Sequence, residues 1–178
     1  MVRFIRLNNL MGMKMKSNVT DLLIELRKMM TDLEYPVQQP INTSFLDSLT
    51  KGHRNTASPI LDQIGNEICL LLANQPDYTT FIKTMDGFEY NGLTMFSLSI
   101  PEPIVKNLFI MNEFYRNNDY LDPELQERLV IGEDGMSLFT YDTKMNLFEI
   151  RDNASTESIY GSFDNFNDFL SEIVDSVK

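Results

Sequence analysis

Apolar residues recur every three to four positions from Val19 to Leu33: Val19, Leu22, Leu23, Leu26, Met29, Met30 and Leu33. That spacing sets one face of a helix. Ser17 or Asn18 can accept from its first-turn amides, and Pro36 stops it. Residues 35–58 hold Pro36, Pro40, Asn42 and Gly52 and read as an irregular connection, with a short helical turn at Ser44–Leu49. Ser58-Pro59 starts a second long helix, whose buried face is Ile60, Leu61, Ile64, Ile68, Leu71 and Leu72. It is expected to end near Ala73-Asn74. Pro76 starts a further helix with Tyr78, Phe81, Ile82 and Met85 on one side, ended by Asp86-Gly87.

The period then changes from 3.6 to 2. Phe88 and Tyr90 precede Asn91-Gly92, a strong hairpin-turn signal, and Leu93, Met95 and Ser97 follow in alternation. Ile104 to Arg116 reads as a helix burying Val105, Leu108, Phe109, Met111 and Phe114 or Tyr115. Asn117 to Glu127 is polar, with Pro123 inside it. Leu129-Val130-Ile131 is a short strand closed by Gly132-Glu133-Asp134-Gly135. Met136–Tyr141 and Leu147–Ile150 form a hairpin about Asp142–Asn146, and Ile159-Tyr160 adds an edge strand. Ser162 is expected to cap a last helix lined by Phe163, Phe166, Phe169, Leu170, Ile173, Val174 and Val177. The order predicts an α+β fold: an antiparallel β-sheet covered on one face by helices.

Length and composition fit one domain. The chain has 178 residues, 43% of them hydrophobic, enough for a sizeable core. Residues 1–16 have no clean period and read as a basic N-terminal tail; residues 17–178 form the single domain. Met11, Met13 and Met15 could each serve as a start codon. No apolar run is long enough for a transmembrane helix, and the N-terminus lacks the continuous apolar stretch of a secretory signal. Met11-Gly12 is followed by Lys16 where a myristoylation start wants Ser or Thr. Cys69 is the one cysteine, in an apolar run without a neighbouring cation. It reads as a small core hydrophobe, and the cytoplasm is the expected compartment.

Charge adds a partner class. The total is −11, while residues 1–16 carry four cations and no acid, which leaves −15 on the remainder. Such a surface repels phosphate backbones, so nucleic acid is not an expected partner. It attracts basic proteins, or serves solubility alone. Catalytic motifs are missing from the sequence: no nucleophile elbow, phosphate loop, Cys-x-x-Cys or His-Glu-x-x-His. His53 is the only histidine and stands beside Lys51 and Arg54, a poor metal ligand. Gly132-Glu133-Asp134-Gly135 is too short and too poor in acids for a calcium loop. No catalytic residue, cofactor or metal is expected. Glu89, Tyr90, Glu133, Asp134 and Asp142, near turns at the sheet ends, are the candidate partner-binding residues. The competing reading of Glu133, Asp134 and Asp142 is acids in turns, placed for solvation and local hydrogen bonds.

One segment carries a resemblance. Pro76-Asp77-Tyr78-Thr79-Thr80-Phe81-Ile82-Lys83-Thr84-Met85-Asp86-Gly87, followed by Asn91-Gly92-Leu93-Thr94-Met95-Phe96-Ser97, resembles the signature of the SUKH superfamily. Val130-Ile131-Gly132-Glu133-Asp134-Gly135, Tyr141-Asp142 and Ser162-Phe163-Asp164 agree with it in order. The likeness covers roughly residues 58–176. The segment Met111-Asn112-Glu113-Phe114-Tyr115-Arg116 looks closest to the YrhA-like branch. Two departures stand out: Asp86 replaces the usual Asn before glycine, and the chain has no Trp. The resemblance implies a helix-covered antiparallel sheet and a non-catalytic, protein-binding role. Many such proteins are immunity proteins that neutralise a bacterial toxin; others are scaffolds or regulatory modules with an endogenous partner. A carboxylate enzyme is the third reading, which two or more acids converging in a deep pocket would favour.

Overall fold

Every helix start in the structure but one is set by a side chain that accepts from exposed amides. The exception is the helix that opens at Pro76. The computed structural model describes residues 18–51, 58–117 and 122–178. Asn18 caps α1 (Val19–Asp32), Asn42 caps α2 (Thr43–Thr50), and Ser58 caps α3 (Pro59–Asn74). Pro76 opens α4 (Pro76–Thr84) with no capping side chain. The Asn91-Gly92 turn joins β1 (Phe88–Tyr90) to β2 (Leu93–Met95), both turn residues having positive φ. Then come α5 (Leu108–Arg116), α6 (Pro123–Gln126), β3 (Leu129–Glu133), β4 (Ser137–Asp142), β5 (Leu147–Asp152), β6 (Ile159–Phe163) and α7 (Phe166–Asp175).

The fold is α+β, with a six-stranded sheet in the order β1-β2-β3-β4-β5-β6 and every neighbouring pair antiparallel. Three hairpin turns use one device. Asp134 accepts from the amides of Met136 and Ser137, Asp142 from Lys144 and Met145, and Asp152 from Ala154 and Ser155. A short acceptor at the turn entrance satisfies amides that the ladder has released.

One face of β4 and β5 is aromatic. Phe148 stacks on Phe169 of α7 at 5.3 Å, and Phe139 meets Phe169 edge-on at 5.6 Å. Phe166 and Phe81 carry the cluster on to α4, which packs against α1 and α7. This is the helix-covered face. The other face of β4 and β5 is also buried. There Glu149 accepts from Arg128 and from Arg151, each at 2.8 Å, and from the Thr140 hydroxyl at 3.3 Å. Glu124 of α6 reaches Arg128 at 2.9 Å and Arg151 at 3.1 Å. The short α6 and its flanks thus cover this face with an ionic network rather than an apolar layer.

At β3 the ladder shifts register between Val130 and Gly132. Asn112 of α5 supplies the missing partner. Its side-chain oxygen accepts from the Val130 amide at 2.8 Å, and its nitrogen donates to the Val130 carbonyl at 2.7 Å and the Leu108 carbonyl at 2.8 Å. Gly132 sits where a Cβ would come 2.5 Å from the Thr94 carbonyl oxygen and 2.9 Å from the Met95 sulfur. Gly132→Ala is therefore expected to lower stability by about 1–3 kcal/mol through overpacking, read as a lower urea midpoint at unchanged slope. An unchanged midpoint would show that β2 yields freely.

The structure moves several expected boundaries. The helix expected from Ile104 begins at Leu108, because Asn107 caps it and Ser97 bridges Asn107. Val105 is buried as expected, Phe114 is exposed, and Tyr115 is half-buried. Leu33 is exposed just past α1. Gly132 and Glu133 belong to β3, not to the turn after it. Ser162 pairs with Glu149 inside β6, and Asn165 caps the last helix instead. The polar stretch around Pro123 contains α6, capped by Asp122. The tail of residues 1–16 and His53 lie outside the described residues.

Candidate functional site

α5 is built the wrong way round for a surface helix. Its inward positions are Leu108, Asn112 and Arg116, spaced four apart. Asn112 is spent on β3, and Arg116 grips Glu67 of α3 with both terminal nitrogens, at 3.1 and 2.5 Å. Polar anchoring inward leaves the opposite side to Ile110 and Phe114, again four apart, at 49% and 60% exposed. Ile104, just before the helix, is 59% exposed. Amphipathic surface helices place these residue types the other way about.

Beside this stripe lies an apolar hollow of about 460 Å³ between α2, α3 and the start of α5. Phe45, Leu61, Leu98, Pro101, Phe109 and Ile110 line it, with no charged side chain among its lining residues. Carboxylates stand at its edge. Glu102 accepts from the amide of Asn107, itself a lining residue, at 3.3 Å. Glu113 is one turn on from Ile110 and half-exposed. Lys106 is occupied by its ion pair with Glu133.

The five residues singled out in the sequence do not form one surface. Glu89 and Glu133 share a row: Glu89 faces Thr94 across β1–β2, and Thr94 faces Glu133 across β2–β3. Glu89 is exposed, while Glu133 is half-buried against Lys106 and the Tyr115 hydroxyl. Tyr90 points the other way, 4% exposed and edge-on to Tyr35 at 5.1 Å. Asp134 and Asp142 are turn acceptors, and Asp142 is buried with Arg128 3.6 Å away. Tyr90 and Asp142 are thus closed to a partner by the packing around them.

Tyr115, beside Glu133, is a late-titrating phenol. Burial first, and the Glu133 carboxylate second, push the Tyr115 phenol up to about 12. Tyr78 is raised further, by burial and then by Asp86. Between pH 10 and about 12 the unfolded chain has released these protons and the folded chain still holds them. The folded state then binds more protons, so stability falls as pH rises through that window. Tyr115→Phe is expected to flatten part of that alkaline slope and to remove one late-titrating phenolate from the ultraviolet titration. An unchanged slope and titration would refute the assignment.

A second hollow, of about 480 Å³, lies between α2, α3 and α4 and includes Cys69, whose thiol donates to the Leu49 carbonyl at 3.2 Å. Among the described residues no three His, Cys, Asp or Glu side chains are grouped to hold a metal ion. No helix among them is long and apolar enough to cross a membrane. Sequence reasoning missed the α5 stripe because it left Phe114 and Tyr115 as alternatives for the buried face. The signal was present in Asn112 and Arg116, polar residues in phase with Leu108.

The chain is 57% identical over 122 residues to the uncharacterized protein YrhA of Escherichia coli (strain K12), a match covering 67% of this chain and 88% of that protein. No family model matches the chain, and no solved structure matches it.

Proposed function

The chain belongs to the family of Escherichia coli YrhA, and we propose, from its resemblance to the SUKH superfamily over residues 58–176, that it is a non-catalytic, protein-binding member of that superfamily that neutralises a cognate bacterial toxin. The observation that carries protein binding is the inverted helix α5, which buries Asn112 and Arg116 and exposes Ile110 and Phe114. Solvent-exposed aliphatic and aromatic pairs on a rigid element suit the desolvated centre of an interface. The −15 carried outside residues 1–16 speeds encounter with a cationic partner. Neutralisation itself rests on the resemblance over residues 58–176, with Glu89 and the exposed rim of Glu133 as peripheral contacts.

Co-expression tests this. If the neighbouring gene encodes a toxin, this chain should restore growth and co-purify with that toxin. Growth arrest that persists despite folded protein, or a neighbourhood without any toxin gene, would favour a scaffold with an endogenous partner instead.

A further inference from the structure

We propose that the hollow between α2, α3 and α5, continued by Ile110 and Phe114, docks an amphipathic segment of a partner protein whose apolar face is flanked by Lys or Arg. The inference rests on the protein-binding reading and names its surface and the chemistry of the occupant. Two features fix that chemistry. The floor is apolar, so the occupant must bring apolar anchors: a polar group placed there would lose water and find only Ser48, Ser99 and Asn107 as partners. Asn107 has already committed its side-chain oxygen to the amides of Phe109 and Ile110, and its nitrogen to the Ile100 carbonyl.

The rim selects charge. Glu102 accepts from the lining residue Asn107, Glu113 follows Ile110 by one turn, and among the described residues Lys106 is engaged by Glu133 and Arg116 by Glu67. An anionic segment would meet like charges there, and a cationic one meets opposite charges beside its anchors. A second copy of this chain would set two acidic rims against one another, so the geometry favours a different protein. Met136, exposed at a turn tip, borders a hollow of another character, lined also by Gly135, Asp152, Asn153 and Ala154 and so carrying a carboxylate and an amide.

The probe is a designed amphipathic peptide with Leu and Phe on one face and Lys on the other, and a twin with Glu in place of Lys. Amide shifts of the full chain should cluster on Phe45, Leu61, Leu98, Phe109, Ile110 and Phe114. The Lys peptide should bind about tenfold or more tighter than its twin at low salt, and the preference should shrink as salt rises. Ile110→Asp with Phe114→Asp, both at exposed positions, should weaken binding about tenfold or more while the melting temperature holds. Glu102→Lys with Glu113→Lys should reverse the peptide preference and leave the apolar contact intact. Shifts centred on Met136, Met145 or Tyr160, equal binding of both peptides, or an undiminished double-Asp variant would each overturn the proposal. A cognate toxin captured equally by wild type and the double-Asp variant would sink this docking face and leave neutralisation standing. Peptide binding here without any toxin captured would do the reverse.

Discussion

Asp86→Ala is expected to lower stability by about 3–5 kcal/mol, because the buried Leu98 amide and the Ser99 hydroxyl lose their acceptor and the half-buried Ser99 amide keeps only the Ser97 hydroxyl, at 3.2 Å. The Asp86 carboxylate is fully buried. One oxygen accepts from the Leu98 amide at 2.8 Å; the other accepts from the Ser99 amide at 2.9 Å and the Ser99 hydroxyl at 2.5 Å. These bonds pin the chain where it leaves β2. Gly87 next to it has φ +79°, and a Cβ there would lie 2.8 Å from the Met95 oxygen and the Ser97 nitrogen. The Asp-Gly pair thus joins the end of α4 to the strand edge by close approach. For a chain of this size the melting temperature should drop by roughly 6–20 °C. Asp86→Asn is the sharper comparison. One oxygen can serve Leu98, but an amide nitrogen would then face the Ser99 N–H, so a loss of about 1–2 kcal/mol is expected. A loss below about 1 kcal/mol for Asp86→Ala would mean that water replaces the carboxylate at no cost.

Arg116→Met should cost about 3–5 kcal/mol by leaving the buried Glu67 carboxylate without its cation, with only the Gln63 side chain still donating to it at 3.1 Å. The Arg116 side chain is 2% exposed, bidentate to Glu67, and also donates to the Arg128 carbonyl at 2.7 Å. Its Nε is buried and finds no partner among the described residues, so even the wild-type arrangement carries a cost. Replacing both partners, Glu67→Met with Arg116→Met, should recover most of the loss, leaving roughly 1–2 kcal/mol for the Arg128 carbonyl. A double variant as unstable as the single one would show that the pair acts through something other than its charges. The same variants separate scaffold from surface. Arg116→Met should loosen α5, whereas Ile110→Asp and Phe114→Asp should leave its packing alone.

What the sequence could reveal followed from how local each cue was. α3 runs from Pro59 to Asn74 because Ser58-Pro59 opens it and Pro76 follows it, and those cues stand next to what they control. The Asn91-Gly92 turn is equally local. The start of α7 was misplaced by one strand end. Ser162 and Asn165 can both cap, and Phe163 fits a helical period as well as it fits β6 opposite Phe148. The ionic network could not be read at all. Arg128, Glu149 and Arg151 look like ordinary outward residues until α6 is known to lie over them. Asp134 and Asp142 kept the turn role that competed with partner binding from the start. The role of α5 was hidden because its anchors reach β3 and α3, distant in the chain.

The placement of α7 over β5 has a consequence for synthesis on the ribosome. Phe148 is translated before Phe166 and Phe169, the rings that will cover it, by roughly one to four seconds at the usual 5–20 residues per second. Until α7 is made, Phe148 has no ring from that helix to cover it. A stop codon or cleavage before residue 166 would make the exposure permanent and hand the product to chaperones and proteases.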